Sequence, residues 1–126
     1  MYITVDEKDR RPVYRQIVDE IKGLIATGEL AQGTFLPPVR QVAADLGVNL
    51  NTVAFAYRQL QREGLVKVRH GAGAVVISRV LKEPVAEESR SQLTAALTHL
   101  VLSGLKPSEI RSLVDEELRR LYAEVT

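Results

Sequence analysis

The stretch Leu46–Gly64, LGVNLNTVAFAYRQLQREG, decides the fold. Gly47 stops the helix before it, and only Val48 and Asn49 separate that stop from a new apolar stripe. The stripe is Val53, Ala56, Tyr57 and Leu60, spaced as one face of a helix requires. Asn49 is the natural N-cap. Val48 and Val53 are spaced as a hydrophobic staple, and Gly64 stands at the C′ stop. The first turn holds more polar residues than a cap needs. Asn49, Asn51 and Thr52 are mediocre helix formers, and Ala54 and Phe55 then stand on the face that the core stripe leaves free.

Working outward, Val39, Val42, Ala43 and Leu46 predict a short helix from about Pro38 to Leu46, so two helices meet at a tight turn. Pro12 suits the first turn of an earlier helix, where its missing N–H is harmless. Tyr14, Ile17, Val18, Ile21, Leu24 and Ile25 carry that helix to Gly28. GELAQGTFLPP (28–38) reads as a loop, and YITV (2–5) alternates as a short strand. On the other side, Val66 and Val68 alternate with Lys67 and Arg69, Gly71 and Gly73 make a turn, and residues 74–78 return. This is a β-hairpin. Three helices followed by a hairpin is the order of a winged helix-turn-helix.

RVLKEPVAEESRS (79–91) is charged, contains Pro84 and reads as a linker. A helix is expected from about Glu87 to Ser103, with Leu93, Ala96, Leu97, Leu100 and Val101 on one face. Pro107 opens a last helix bearing Ile110, Leu113, Val114, Leu118, Leu121, Tyr122 and Val125. The expected fold is α+β, mainly α: a winged helix-turn-helix domain over 1–78 and a two-helix dimerisation segment over 79–126. Two helices bury such stripes poorly by themselves. Pairing with a second copy through Leu97, Leu100, Ile110, Leu113, Val114, Leu118 and Leu121 solves this; the alternative is that both helices fold back on the winged domain. A two-fold dimer would present two recognition helices to a pseudo-palindromic site.

Composition narrows the functions. The 126 residues include no cysteine, which excludes a disulfide framework, a thiol nucleophile and a cysteine-based zinc site. The opening YITVDEKDRR lacks a signal-peptide apolar region, and no apolar run nears the roughly 20 residues that span a bilayer. A cytoplasmic protein with no membrane partner is expected. The net charge is +1, but residues 40–73 hold five Lys/Arg against two Asp/Glu. A basic excess there can attract nucleic acid; a solvated mixed surface is the plainer alternative.

In a helix-turn-helix the second helix enters the major groove and its N-terminal residues face base edges. Asn51 can pair with adenine, and Thr52 offers a hydroxyl and a methyl. Backbone amides at this helix end suit a phosphate. Arg58 and Arg62 stand further along, where backbone contact is expected. Arg40 lies where the preceding helix would cross the DNA backbone, and Arg69 and His70 at the hairpin tip. Capping and turn chemistry alone is the alternative for Asn49–Thr52. Phe55 is expected to cover the N-terminal strand; a partner surface or a thymine methyl are the other choices.

At this point the chain resembles a known family. Gly28-x-Leu30-x-x-Gly33-x-x-Leu36-Pro37, Arg40 with Ala43, Gly47-Val48-Asn49-x-Asn51-Thr52-Val53, Leu60 with Glu63-Gly64-Leu65 and Gly71-x-Gly73 are similar to the DNA-binding domain of GntR-type bacterial transcription regulators. The likeness covers residues 12–76. The short C-terminal part and the VNxNTV…AY variant resemble the YtrA-type subfamily, whose two C-terminal helices serve mainly dimerisation and whose members often repress operons for ABC-type transporters. The resemblance implies Arg40, Asn49, Asn51, Thr52, His70 and Gly71 as DNA contacts. Pro38, Leu50, Ala54 and Ala72 depart from the family pattern, which often has a Ser cap at 38, Arg or Pro at 50, a polar or basic residue at 54 and Lys or Arg at 72.

The expected function is a homodimeric, sequence-specific transcription regulator, a repressor, on a double-stranded DNA operator. No motif names a cofactor, a metal set or a small-molecule effector, and no GxSxG, P-loop or carboxylate pair points to an enzyme. Two rival readings remain: a weakly specific architectural DNA binder, which the modest charge disfavours, and a winged-helix protein-interaction module, which Leu50, Ala54 and Phe55 favour.

Overall fold

The computed structural model describes residues 1–70, 73–83 and 86–122. It divides into two compact units, Met1–Lys82 and Glu83–Thr126.

The first unit is built on α1 (Val13–Thr27), β1 (Phe35–Leu36), α2 (Val39–Leu46), α3 (Leu50–Arg62), β2 (Val66–Arg69) and β3 (Gly73–Val76). Ile17, Val18, Ile21 and Ile25 of α1 are buried, as are Val53, Ala56, Tyr57 and Leu60 of α3, the stripe expected from spacing. Val42 and Ala43 of α2 close the core from a second side. Gly28, Gly47 and Gly64 follow α1, α2 and α3 with positive φ, the left-handed conformation that ends helices cheaply at glycine. Pro38 is the N-cap of α2 and provides no side-chain cap.

Two expectations fail in instructive ways. YITV is not a strand: no strand precedes α1 among the described residues. Ile3 and Val5 pack partly buried against the core instead. The segment is held by the buried Gln16, whose Oε1 accepts from the Asp6 amide at 2.8 Å while its Nε2 donates to the carbonyls of Asp6 and Arg11. The third strand lies in the expected loop. Phe35–Leu36 pairs antiparallel with β3, giving the order β1-β3-β2 with Phe35 opposite Val75 and Val66 opposite Val76.

Residues 79–82, expected to be linker, are bonded back onto this unit. Arg79 donates from Nε and Nη2 to the carbonyls of Ile25 and Ala26 at the end of α1. There the unpaired carbonyls and the negative end of the helix dipole favour a cation. The Lys82 amide donates to the Glu63 carbonyl at 2.8 Å, and Leu81 packs against the core. Lys22 of α1 and Glu63 add an ion pair of 2.7 Å beside it.

The second unit holds α4 (Ala86–Leu102) and α5 (Pro107–Tyr122). Gly104 turns the chain at φ 88°, and the Leu105 amide reaches the Leu100 carbonyl. Pro107 takes the first helical position, and Glu109 accepts from the Lys106 amide at 2.9 Å, half of a capping box. No described side chain of this unit is buried. Leu97, Leu100, Ile110 and Leu121 are half-buried, whereas Leu113 (40% exposed), Val114 (39%) and Leu118 (47%) stand out in solvent. Val125, expected on the same stripe, lies outside the described residues.

Candidate nucleic-acid interface

The expected contact residues come from three elements. Arg40 sits in the first turn of α2, Asn51, Thr52 and Arg58 on α3 with Asn49 as its N-cap, and Arg69 and His70 where β2 ends. Gly71, also expected, lies outside the described residues, as does Ala72.

Asn49 caps as expected: its Oδ1 accepts from the Asn51 amide at 2.8 Å. The Asn51 side chain is exposed and makes no hydrogen bond among the described residues, so its carboxamide is free to pair outward. Arg40, Arg69 and His70 are exposed in the same way.

The fold brings four of these residues to one groove of about 530 Å³. Pro38, Val39 and Arg40 form one wall, Leu50, Asn51 and Ala54 the middle, and Val68, Arg69, His70 and Gly73 the other wall. Among the described residues, no carboxylate lines it. The floor is apolar and the rim basic. Asn49, Thr52 and Arg58 are not part of the groove lining. Arg58 continues the exposed stripe Asn51, Phe55, Arg58 and Arg62, which repeats every three to four residues along the outer side of α3.

Several contacts that the sequence did not announce set the walls. The Tyr57 hydroxyl, on the buried side of α3, donates to the Pro37 carbonyl at 2.7 Å. Burial pushes this phenol well above its ordinary range, so it stays a donor. A Cβ on Gly73 would lie 2.6 Å from the Leu36 carbonyl oxygen and 2.9 Å from that of Pro37. Only glycine fits that approach, at φ 78°. Gln61 Oε1 accepts from the Val68 amide at 2.7 Å and ties the wing to α3.

Phe55, expected to cover the N-terminal segment, has its aromatic partner in α1. Its ring stands edge-to-face with Tyr14 of α1, centroids 4.7 Å apart at 83°, and the Arg58 guanidinium lies 6.0 Å from the Phe55 centroid.

Among the described residues, no group of three or more His, Asp or Glu is placed to hold a metal ion, and no helix is long and apolar enough to cross a membrane. A second cleft of about 380 Å³ lies between Met1–Ile3 and the far side of α2, beside Gln41, Val42, Asp45 and Leu46.

A tight helix-turn-helix with an attached wing, its second helix opening on a basic-rimmed groove free of acid, is the build of a DNA-binding transcription regulator. Residues 13–76 match the model of the gntR family of bacterial regulatory proteins, and the chain belongs to that family. It is 29% identical over 123 residues to the HTH-type transcriptional repressor YtrA of Bacillus subtilis, covering 98% of this chain and 94% of that one. The crystal structure of a transcriptional antiterminator from Listeria monocytogenes superposes with a TM-score of 0.79 at 31% identity, over 96% of this chain and 92% of that one. YtrA from Sulfolobus acidocaldarius, a GntR-family transcription factor, does so with a TM-score of 0.62 at 39% identity, over 78% and 99%.

Proposed function

We propose that this regulator is a homodimeric repressor that reads a pseudo-palindromic DNA operator and performs no catalytic step. The observation that carries the reading is the groove in which Arg40, Asn51, Arg69 and His70, from three elements, face the same space with no carboxylate among them. In this reading Asn51 contacts a base. Arg40, Arg58, Arg69 and His70 hold phosphates, the start of α3, with Asn49, meets the backbone, and Thr52 offers its hydroxyl and methyl to a base edge.

Dimerisation is supported by the second unit, which leaves Leu113, Val114 and Leu118 exposed in a row along α5. A second copy laid on that row, with Leu97, Leu100, Ile110 and Leu121 behind it, would bury a stripe that two helices alone leave wet. Repression is supported by the likeness to a protein named a transcriptional repressor. Such a protein works on DNA in the cytoplasm.

Selection of bound sequences from a random DNA pool, at near-physiological salt, tests the reading. An inverted repeat with half-site centres about 34 Å apart along the duplex is expected. No enrichment, with all binding lost at modest salt, overturns it in favour of sequence-independent attraction.

A further inference from the structure

We infer that the recognition helix reads thymine methyl groups, so that the DNA under α3 is rich in A·T pairs, with Leu50, Ala54 and Phe55 as the methyl contacts. The inference rests on the DNA-binding reading above and names what that site recognises.

The starting point is a break in the pattern of α3. All four of its buried residues are those of the core stripe, yet Leu50, the first residue of the helix, and Phe55, on its outer side, remain 44% and 40% exposed. Leu50, Asn51 and Ala54 lie together in the groove, and Phe55 is one turn beyond Asn51 on the same outer stripe. The carboxamide is thus flanked by carbon. Phe55 also has partners within the fold: its ring stands edge-to-face with Tyr14, and the Arg58 guanidinium lies over it. A ring with such partners loses less entropy on contact with a ligand than a free one.

Base chemistry selects the occupant. In the major groove thymine alone offers an apolar group, its methyl, while guanine is read by arginine or lysine. Leu50 through Tyr57 contain no basic residue, and the first arginine on α3 is Arg58, two turns in. An asparagine flanked by apolar side chains matches an adenine and the methyls of nearby thymines. Arg40, Arg69 and Arg58 surround this carbon with positive charge, which suits a polyanion better than an apolar protein surface.

The test uses the full-length protein and its selected operator. Each thymine is replaced in turn by deoxyuridine, which removes only the methyl. At one or more positions per half-site an approximately fourfold loss of affinity is expected for each methyl. In Phe55→Ala one of those penalties disappears while the others stay; in Leu50→Ala a different one does. The thymine–uracil comparison is made first in the wild-type protein, so it stands even if a variant folds poorly. Tight specific binding that ignores every uracil overturns the inference and leaves the DNA-binding reading intact. Penalties that persist unchanged in both folded variants overturn the assignment to these residues. Absence of any specific binding to the thymine-containing operator overturns both.

Discussion

The hydroxyl of Tyr57 donates a 2.7 Å hydrogen bond to the carbonyl of Pro37, twenty residues earlier in the chain. Pro37 ends the segment after β1 and lies just before α2, whereas Tyr57 is on the buried face of α3. One bond therefore fixes the recognition helix against the start of the helix before it. The same carbonyl is one of the two that a side chain at position 73 would strike, so α3 and the wing both lie against Pro37.

Tyr57→Phe keeps the ring and removes the donor. It leaves the Pro37 carbonyl without that partner, at an expected cost of about 1–2 kcal/mol in urea unfolding. A stability equal to wild type would show that the bond adds nothing to the fold.

Gly73→Ala should be the harsher change. The methyl would stand inside contact distance of two backbone carbonyls, and the residue has φ 78°. A loss of roughly 2–4 kcal/mol is expected from conformational strain and overpacking together. Gly33, at φ 92° with open space around it, is the control: alanine there should cost only about 1–2 kcal/mol. Equal losses at the two sites would refute the steric account of β1 against β3.

Asn51→Ala should weaken operator binding by about 1–3 kcal/mol and leave binding to random DNA unchanged. Asn49→Ala should cost about 1 kcal/mol of stability, because that side chain caps α3, and should weaken binding to both DNAs alike, because the helix start it caps meets the backbone. Competition binding with both DNAs, alongside thermal unfolding, separates the two. Equal loss on specific and random DNA in Asn51→Ala would count against base reading.

Leu113→Asp/Leu118→Asp places charge on the exposed row of α5. Monomers in sedimentation and much weaker operator binding are expected. A double variant that still sediments as a dimer refutes the row as the interface. Leu121, half-buried within its own unit, is the poorer choice for this test, since a charge there would also disturb α5 itself.

The helices were legible because their periodicity is local. Four apolar residues at helical spacing mark the buried face of α3, and Asn49 before them marks its start. Strand β1 was not, since two residues show no period and their pairing with β3 is forty residues distant. YITV alternates as a strand would, yet its neighbours are a helix and the Gln16 carboxamide, which no pattern in residues 2–5 encodes. The types of residue at the site could be read one by one. Their convergence could not: the partner of Phe55 lies 41 positions away in Tyr14, and the wing is tied to α3 through Gln61, a residue with no signature beyond its place beside the core stripe.

The short strap after β3 sets where the winged unit can be cut. A fragment ending at Ser78 would lose the Arg79 guanidinium from the end of α1 and the Lys82 amide from the end of α3, leaving carbonyls of both helices to water. A fragment ending after Lys82 keeps both. The four residues that look like the beginning of a tether are in effect the last stitches of the winged unit, and whatever is joined beyond them can be exchanged without unpicking α1 or α3.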